Sequence, residues 1–234
     1  KNHLSKKEKY AFAYQELSRK LGIKKIERID AFDISHQYMQ QGVGSCVVFA
    51  ESGASKKDYR LFNIPNDIAG NDVASMEHVI SRRLKYYEEH RPDLILIDGG
   101  RAQLNFTNRI LKKFGMEKIL VLGIAKGKGR VRATETIYTN KGILEIDPHS
   151  ESFKLLNELR DESHRFAITA SRKKIRKTNK YSALDSVRGI GPITKKALLK
   201  KFKSLKAIKK ASKDDLMTIK NINETMASEI KQVL

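Results

Sequence analysis

The sequence lacks the cysteines that a disulfide framework or a thiolate zinc site would need. Cys46 is the one cysteine among 234 residues, so no internal disulfide can form, and a reducing compartment such as the cytoplasm fits best. No apolar run approaches the roughly 18 residues that a membrane span needs, and no segment resembles a secretory signal. We therefore expect no membrane partner. Because the chain begins with Lys1 and not Met, we also expect that residues upstream have been removed.

Acidic residues are few relative to basic ones. Lys and Arg number 47 against 27 Asp and Glu, which gives a formal net charge of +20 at pH 7. Residues 171–234 hold 18 Lys/Arg and 5 Asp/Glu, so +13 of that charge lies in the last 64 residues. Counterion release from a nucleic-acid backbone is the obvious use for such a segment. The plainer alternative is a solvated, highly charged helix bundle.

Hydrophobic periodicity predicts an α/β domain over most of the chain. Antiparallel strands come first, and strands that alternate with helices follow, an order that indicates a mixed sheet covered by helices. The predicted elements are a helix over 3–20, strands over 29–35, 42–51 and 57–64, a helix over 72–90, a strand over 93–98, a helix over 103–114, a strand over 118–124, a hairpin over 131–147 with its turn at 139–142, and a long helix over 150–177. Apolar periodicity lapses over 178–182, so we expect a linker there.

The last fifty residues contain two helix–turn–helix units. The first runs from Leu184 to Phe202 around Gly189-Ile190-Gly191, and the second runs from Leu216 to Val233 around Asn221-Ile222-Asn223. They form a diverged internal repeat, which predicts a small all-α tandem helix-hairpin-helix domain. Glycines in such turns let the backbone bend tightly and direct N–H groups at a phosphate.

We expect these hairpins to contact the DNA backbone and not the base edges, because short turns reach phosphates. The predicted contacts are Gly189, Gly191, Thr194, Lys195, Lys196, Asn221 and Asn223. Asn221 stands where Gly is usual. Asn tolerates positive φ better than most residues, so the turn can survive, while the phosphate contact of the second hairpin stays open.

Two aspartates interrupt or end apolar strands. Asp33 lies within the run 29–35, and Asp98 follows the buried run 94–97. An ionised carboxylate among apolar residues is costly unless it is paired or binds a cation. If the first and fourth strands are neighbours, both carboxylates can meet, and such oxygen ligands favour Mg²⁺ or Mn²⁺. The alternatives are that Asp98 is a polar strand exit and Asp33 a salt-bridge partner.

His164 lies on the predicted long helix. A lone helical histidine is more often structural than a ligand. A neutral imidazole could nevertheless complete a metal shell, with Asp161 or Glu162 available to orient it.

Five segments together resemble the C-terminal half of UvrC, the nuclease subunit of the bacterial UvrABC excinuclease. They are 32–36 (FDISH), 45–49 (SCVVF), 59–64 (YRLFNI), 96–104 (LIDGGRAQL) and 160–168 (RDESHRFAI), in the same order across nearly the whole chain. The resemblance implies an RNase H-like endonuclease domain whose Asp-Asp-His triad maps to Asp33, Asp98 and His164. It also implies that this triad makes the incision on the 5′ side of a DNA lesion.

Asp72 matches a further acidic position of that family, within the segment 70–76. Asn71 stands where Asp is common in the family. We expect Asp72 to be an auxiliary catalytic carboxylate. By its position it could equally be a helix N-cap.

We therefore predict a leading helix from the upstream linker over 1–26, an RNase H-like mixed sheet flanked by helices over 27–178, and the tandem helix-hairpin-helix domain over 179–234. The resemblance implies a divalent-metal-dependent endonuclease for the 5′ incision in nucleotide excision repair. Its partners would be damaged double-stranded DNA and UvrB, the latter bound mainly through the upstream segment. We expect Arg60, Arg101 and Lys126 to add contacts with DNA.

Two other functions stay open at this point. The first is a non-catalytic DNA-binding scaffold with an RNase H-like fold, in which the acidic residues are structural. The second is an RNase H-like nuclease that acts on RNA or on transposon ends.

Overall fold

The structure is a computed structural model, and it describes residues 5–35, 42–87, 90–126, 135–182, 184 and 186–234. The chain divides into two compact units, Lys1–Ser171 and Arg172–Leu234. The domain boundaries drawn from the sequence, at 26/27 and 178/179, stay a prediction. None of the helices in the described ranges has the length and apolar character that are needed to cross a bilayer.

A mixed sheet lies at the centre of the first unit. Its strands are β1 (Arg28–Ser35), β2 (Val43–Ala50), β3 (Gly53–Ala54), β4 (Arg60–Asn63), β5 (Leu94–Asp98), β6 (Leu120–Lys126), β7 (Glu135–Thr139) and β8 (Gly142–Leu144). The order is β3-β2-β1-β5-β6-β7-β8, and β4 also pairs with β2. β5 is parallel to both β1 and β6, whereas the other neighbours are antiparallel. The predicted mixed sheet, with an antiparallel meander before the parallel strands, is confirmed.

Helices cover both faces of this sheet. They are α1 (Lys6–Leu21), α2 (Asp72–Leu84), α3 (Arg101–Lys113) and α4 (Glu151–Ser182), with a short 3-10 turn at Lys56–Asp58. α1 and α4 pack on one face, where Tyr14, Leu17 and Leu156 are buried in one hydrophobic cluster. α2 and α3 pack on the other face, in a second cluster that includes Ile80 and Leu104.

Alternation along β1 decides which face each of its acids reaches, because successive side chains of a strand point to opposite sides. Ala31 belongs to the cluster under α1 and α4, whereas Phe32 belongs to the cluster under α2 and α3. Asp33 therefore shares the face of α4. Asp30 shares the face of α2.

The same alternation in β5 brings a second acid to the α4 face. Leu96 is in the cluster under α4, and Ile97 is in the cluster under α2 and α3, so Asp98 points to the α4 side. β1 and β5 pair in register, with Phe32 opposite Ile97. Asp33 and Asp98 each follow that pair directly.

Two predicted elements are shorter in the structure. The third predicted strand is confined to Arg60–Asn63, because the 3-10 turn at Lys56–Asp58 takes up its first residues. The second helix ends at Leu84 and not near 90. The predicted turn at 139–142 joins β7 and β8, while 131–134 at the start of that predicted hairpin lie outside the described residues.

The linker predicted at 178–182 is wrong, because α4 continues through Ser182. No Gly or Pro occurs between Glu151 and Ser182, so nothing in the chain interrupts the backbone hydrogen bonds of the helix. Loss of apolar periodicity ends the packing of a helix and does not by itself end the helix.

The second unit contains α5 (Pro192–Phe202), α6 (Leu205–Lys210), α7 (Lys213–Met217) and α8 (Glu224–Val233). Its core includes Leu198, Ile208, Leu216 and Ile230, all fully buried. The helix expected before Gly189 is absent from the described residues 184 and 186–189, which form turns and a bend. The small all-α unit is otherwise confirmed.

Candidate metal centre

Asp33, Asp98 and His164 come together on the α4 face of the first unit. Each offers one possible ligand atom, and these three atoms lie within 4.8 Å of one another. Nδ1 of His164 is 3.3 Å from Oδ2 of Asp33. Asp33 is buried, Asp98 is exposed and the His164 side chain is 51% exposed. The three side chains are therefore open to solvent at the carboxyl ends of β1 and β5.

A hydrogen bond between β2 and α4 positions His164 over the sheet. Asp33 pairs with Ser45 in the antiparallel register of β1 and β2. The Ser45 hydroxyl donates to the carbonyl of Ser163 at 2.9 Å, and both serines are buried. The residue next to Ser163 is His164, so this bond holds the histidine beside the strand that carries Asp33. Neither serine was singled out from the sequence.

A close approach between backbones fixes the loop after Asp98. The N–H of Gly99 donates to the carbonyl of Ile124 in β6 at 2.8 Å. A Cβ atom on Gly123 would lie 2.7 Å from the Gly99 carbonyl oxygen. Any larger residue than glycine at 123 would push this loop outward and move Asp98 with it.

The carboxylates of Asp161 and Glu162 each form an ion pair with an arginine in the structure. Arg160 donates through Nη2 to Oδ1 of Asp161 at 2.7 Å, and Arg165 donates through Nε to Oε2 of Glu162 at 2.6 Å. The recorded contact of His164 is with Asp33. The expectation that Asp161 or Glu162 orients the imidazole is therefore corrected: the orienting carboxylate in the structure is Asp33.

The three side chains fit a hard divalent cation. Mg²⁺ binds oxygen ligands at about 2.1 Å, so two ligands on opposite sides of one ion lie about 4.2 Å apart. Ligand atoms within 4.8 Å of one another need only a small closure to reach that spacing. Two carboxylates this close also repel each other, and a cation between them removes the repulsion. Two oxygens and one imidazole nitrogen suit Mg²⁺ or Mn²⁺ better than a thiophilic metal.

Asp72 is the first residue of α2, and it is not the N-cap. The N-cap is Asn71, whose Oδ1 accepts from the N–H of Ala74 at 3.1 Å. The N-cap alternative for Asp72 is therefore wrong. Asp72 is not a member of the triad within the described residues.

The direction of α2 nevertheless brings Asp72 to the edge of the sheet that holds the triad. Val79 faces Gly44, at the end of β2 next to the triad, because a Cβ on that glycine would meet the Val79 side chain at 2.3 Å. Arg83, one turn later, bonds Asp30 near the start of β1. The helix thus runs away from the end of the sheet where β1 and β5 finish, and its first turn lies toward that end.

A further buried aspartate, Asp30, lies on the opposite face of β1 within a cluster of hydrogen-bond donors. Asp30 is fully buried, and its Oδ2 accepts from Nη2 of Arg83 at 2.9 Å and from the Tyr87 hydroxyl at 2.9 Å. Its Oδ1 accepts from Nε of Arg28 at 2.8 Å. Sequence reasoning missed this site. The available signal was the four-residue spacing of Arg83 and Tyr87, which would share one face of the helix predicted over 72–90, although the helix in the structure ends at Leu84.

Cys46 lies beside this cluster, with Sγ 3.6 Å from Oδ2 of Asp30. Burial, reinforced by the negative charge of Asp30, raises the pKa of the Cys46 thiol well above its usual value. The Cys46 thiol is free and buried.

The three basic residues predicted to touch DNA in the first unit differ in their settings. Arg60 is exposed, but its Nη1 donates to the carbonyls of Lys57 and Tyr59, each at 2.8 Å. Arg101 is exposed at the start of α3, three residues after Asp98. Lys126 ends β6, and its side chain lies outside the described residues. Of these three, Arg101 has the position closest in sequence to the triad.

The first hairpin of the second unit has an open helix N-terminus. Gly189 adopts φ 87°, a left-handed conformation that favours glycine. Gly191 precedes α5 and has no side chain with which to cap it. Among the predicted contacts that follow, Thr194 and Lys195 are buried, whereas Lys196 is exposed.

The second hairpin has the same turn but a closed N-terminus. Asn221 adopts φ 71°, so the expectation that asparagine preserves the turn is confirmed. Asn223 caps α8, since its Oδ1 accepts from the N–H of Met226 at 2.9 Å. Glu224 then places a carboxylate in the first turn. A phosphate would meet a side-chain cap and a negative charge here.

Comparison with known proteins gives matches over both units. Residues 18–168 match the family described as the UvrC RNAse H endonuclease domain. Residues 181–234 match the SAM-like helix-hairpin-helix tandem. The two matches correspond to the sheet-centred unit with the triad and to the small helical unit.

Similar proteins come from several bacteria. The UvrABC system protein C of Saccharophagus degradans is 39% identical over 241 residues, which take in 100% of this chain and 39% of that protein. That of Legionella pneumophila strain Lens is 39% identical over 233 residues, with 97% of this chain and 38% of that protein covered. The chain thus spans about two fifths of the length of these relatives. The solved catalytic domain of human Endonuclease V has a TM-score of 0.37 at 13% identity, over 73% of this chain and 97% of that one, a likeness too low to support an argument.

Proposed function

This chain belongs to the family of the UvrC RNase H endonuclease domain, and on that premise we propose that it hydrolyses a DNA phosphodiester with a divalent metal ion. The proposed cut is the incision on the 5′ side of a lesion during nucleotide excision repair. The observation that carries this proposal is the convergence of Asp33, Asp98 and His164, with ligand atoms within 4.8 Å of one another.

Asp33, Asp98 and His164 would hold Mg²⁺ or Mn²⁺. When bound, such an ion polarises the phosphoryl oxygen and lowers the pKa of a coordinated water so that it can attack. Asp33 would be the buried ligand of the ion. It contacts His164 and lies opposite Ser45 in the pairing of β1 with β2. Asp98 and His164 are exposed, so they border the side from which a DNA strand can approach.

The backbone contacts around the triad support preorganisation of these ligands. The Ser45–Ser163 hydrogen bond ties α4 to the sheet beside Asp33. The close packing of Gly123 on Gly99 fixes the end of β5. Groups held in this way need little rearrangement when the metal binds, which lowers the energetic cost of the reaction.

We assign Asp72 an auxiliary role beside the triad. It begins α2, whose first turn lies at the edge of the sheet that holds Asp33 and Asp98. The assignment rests on the family position that Asp72 matches and on the direction of α2; a carboxylate that is not a ligand of the first ion can still orient a water or support a second ion. Its substitution should therefore reduce cleavage less than that of Asp33.

The second unit would supply sequence-independent affinity for DNA. The open N-terminus of α5 after Gly191, with Lys196 exposed nearby, suits a phosphate. We assign the main phosphate contact to this first hairpin, because Asn223 and Glu224 close the N-terminus of the second. Residues 172–234 carry most of the net positive charge, which suits a polyanion.

Damaged double-stranded DNA and UvrB are the proposed partners, and the cytoplasm is the proposed location. The names of the relatives place those proteins in the UvrABC system. Because this chain spans about two fifths of their length, we assign to it the hydrolytic step and the DNA grip. The contact with UvrB would be made mainly by sequence outside this chain.

The test is nicking of a lesion-bearing duplex that already carries a cut on the 3′ side of the lesion, with UvrB supplied. We expect one new cut on the 5′ side in Mg²⁺ or Mn²⁺, and none in EDTA. Asp33→Asn should abolish the cut and retain DNA binding, because it removes a ligand charge without changing the shape of the side chain.

Two outcomes would replace this function with another. If the wild-type chain binds the duplex but never cuts it in either metal, the chain is a non-catalytic DNA-binding scaffold. If an RNA duplex of the same sequence is cut faster than DNA, the substrate assignment is wrong although the metal chemistry stands.

A further inference from the structure

Helix α3 carries a polar stripe on the side opposite to its buried face. Leu104, Ile110 and Leu111 pack into the cluster under the sheet. The residues on the other side of the helix are exposed or half-buried and are all basic or amide side chains: Arg101, Asn105, Asn108, Arg109 and Lys112. Their spacing of three or four residues places them along one line. This stripe has no part in the core of the first unit.

The turn between β7 and β8 borders the stripe. Nδ2 of Asn108 donates to Oδ1 of Asn140, in that turn, at 2.5 Å. Together they border an open groove of about 630 Å³. Its lining consists of three amides, two cations and one carboxylate: Asn105, Asn108, Asn140, Arg109, Lys112 and Glu117. The groove therefore offers many hydrogen-bond donors and a net positive charge.

These side chains suit a sugar-phosphate backbone. Phosphate oxygens accept hydrogen bonds and carry negative charge, and Arg, Lys and Asn are among the residues that contact them. The guanidinium carbon of Arg109 lies 5.4 Å from the centre of the Phe106 ring. A guanidinium supported on an aromatic ring is partly preorganised for bidentate contact with a phosphate.

The stripe leads directly away from the candidate metal centre. Asp98 ends β5, and Arg101 begins α3 three residues later. From Arg101 to Lys112 the helix covers about 16 Å at 1.5 Å per residue, which corresponds to roughly five base pairs at 3.4 Å each. Duplex DNA that lies along α3 would therefore meet the stripe over about five base pairs, on the side of α3 that faces away from the sheet.

We propose that the groove between α3 and the β7–β8 turn binds the phosphate backbone of duplex DNA over about five base pairs. The proposal rests on the proposed endonuclease function, because duplex DNA is the substrate of that function. It adds a DNA-binding surface to the first unit that is separate from the hairpins of the second.

Two neighbouring lysines on α3 provide a matched test. Lys112 lines the groove, whereas Lys113 is paired with Glu77 of α2 at 2.8 Å. Lys112→Gln and Lys113→Gln make the same chemical change one residue apart. The measurement is the affinity of each full chain for a 30-base-pair duplex in EDTA, by fluorescence anisotropy, between 50 and 200 mM salt.

We expect Lys112→Gln to reduce the slope of log K against log salt by about 0.9, the value for one phosphate contact. The wild type should then lose about threefold more affinity than Lys112→Gln over this salt range. Lys113→Gln should keep the wild-type slope. Asn105→Asp, which adds a negative charge inside the groove without a change of size, should lower affinity further than either lysine variant.

The proposal that the groove binds DNA would be overturned if wild type, Lys112→Gln and Lys113→Gln had equal salt slopes and Asn105→Asp lost no affinity. Circular dichroism of each variant establishes that the fold is intact. The binding assay contains no metal and no cleavage, so its result is independent of catalysis. If Asp33→Asn fails to stop nicking, the endonuclease assignment fails, and the lysine comparison still decides whether the groove holds DNA.

Discussion

Asp30 and Asp33 lie three residues apart on the same strand and have opposite roles. Both are almost completely buried, at 0% and 6% exposure. Asp30 points to the α2 face, where it is bonded by Arg28, Arg83 and Tyr87. Asp33 points to the α4 face, where it meets His164. Burial therefore does not distinguish the structural acid from the chemical one.

The surroundings of each acid make the difference. The carboxylate of Asp30 is enclosed by donors inside the core, so its charge is used within the fold. Asp33 lies at the end of the strand beside Asp98 and an exposed imidazole, where a cation and a substrate can enter. Strand alternation separates the two sites, because side chains an odd number of positions apart, here three, point to opposite faces of the sheet.

The largest effect is expected for Asp33→Asn. Removal of this ligand charge should reduce the rate of metal-dependent nicking about 1000-fold, which is roughly 4 kcal/mol of transition-state stabilisation. The midpoint of thermal unfolding should stay within about 2 °C of wild type, because the isosteric amide leaves the packing unchanged. Nicking assays and calorimetry measure the two effects. A large loss of stability without loss of nicking would reverse the roles of the two acids.

Asp30→Asn should have the complementary effect. It leaves Arg83 buried and charged without its carboxylate, and breaking a buried pair in this way costs about 3 kcal/mol of unfolding free energy. Urea denaturation measures that loss. The rate of nicking per folded molecule should remain close to that of wild type at low temperature. If stability is unchanged, the Asp30 cluster does not hold α2 to β1.

Cys46 reports on the same cluster through its reactivity. Burial raises the pKa of its thiol, so at pH 8 less of the reactive thiolate is present than in an unfolded chain. We expect iodoacetamide to label native Cys46 about 100-fold more slowly than the chain in urea. In the Asp30→Asn variant, iodoacetamide should label native Cys46 faster than in the wild type. Rapid labelling of the native wild type would show that the cluster is open to solvent.

The smallest effect is expected for His164→Gln. His164 is half-exposed whereas Asp33 is buried, so loss of the imidazole should weaken the apparent metal affinity about tenfold. Raising the Mn²⁺ concentration should recover most of the nicking rate, whereas it should not rescue Asp33→Asn. If excess Mn²⁺ rescues both variants equally, His164 and Asp33 do not differ in the way their burial suggests.

The sequence predicted the mixed sheet because its strands keep clear apolar runs between polar loops. The pairing of β1 with β5, on which the triad depends, was only a condition under which Asp33 and Asp98 could meet. The resemblance to UvrC then added His164 to these two acids as a triad, whereas the role of Asp30 was not predicted. Asp30 and Asp33 are aspartates in one apolar run, and their difference arises from helices far away in the sequence.

Other features required the folded chain. The Ser45–Ser163 bond joins residues 118 apart, and no local pattern indicates such a contact. The approach of Gly123 to Gly99 depends on the pairing of β5 with β6. The stripe on α3 is visible in the sequence only as an ordinary polar face, and it becomes a groove when the β7–β8 turn packs beside it.

The most direct test of the central claim is anomalous diffraction from crystals of the chain with Mn²⁺ and a duplex that carries an uncleavable phosphorothioate. We predict a manganese peak about 2.0–2.3 Å from carboxylate oxygens of Asp33 and Asp98, with a nitrogen of His164 completing the shell. A peak elsewhere in the molecule, with this edge of the sheet empty at saturating Mn²⁺, would contradict the account.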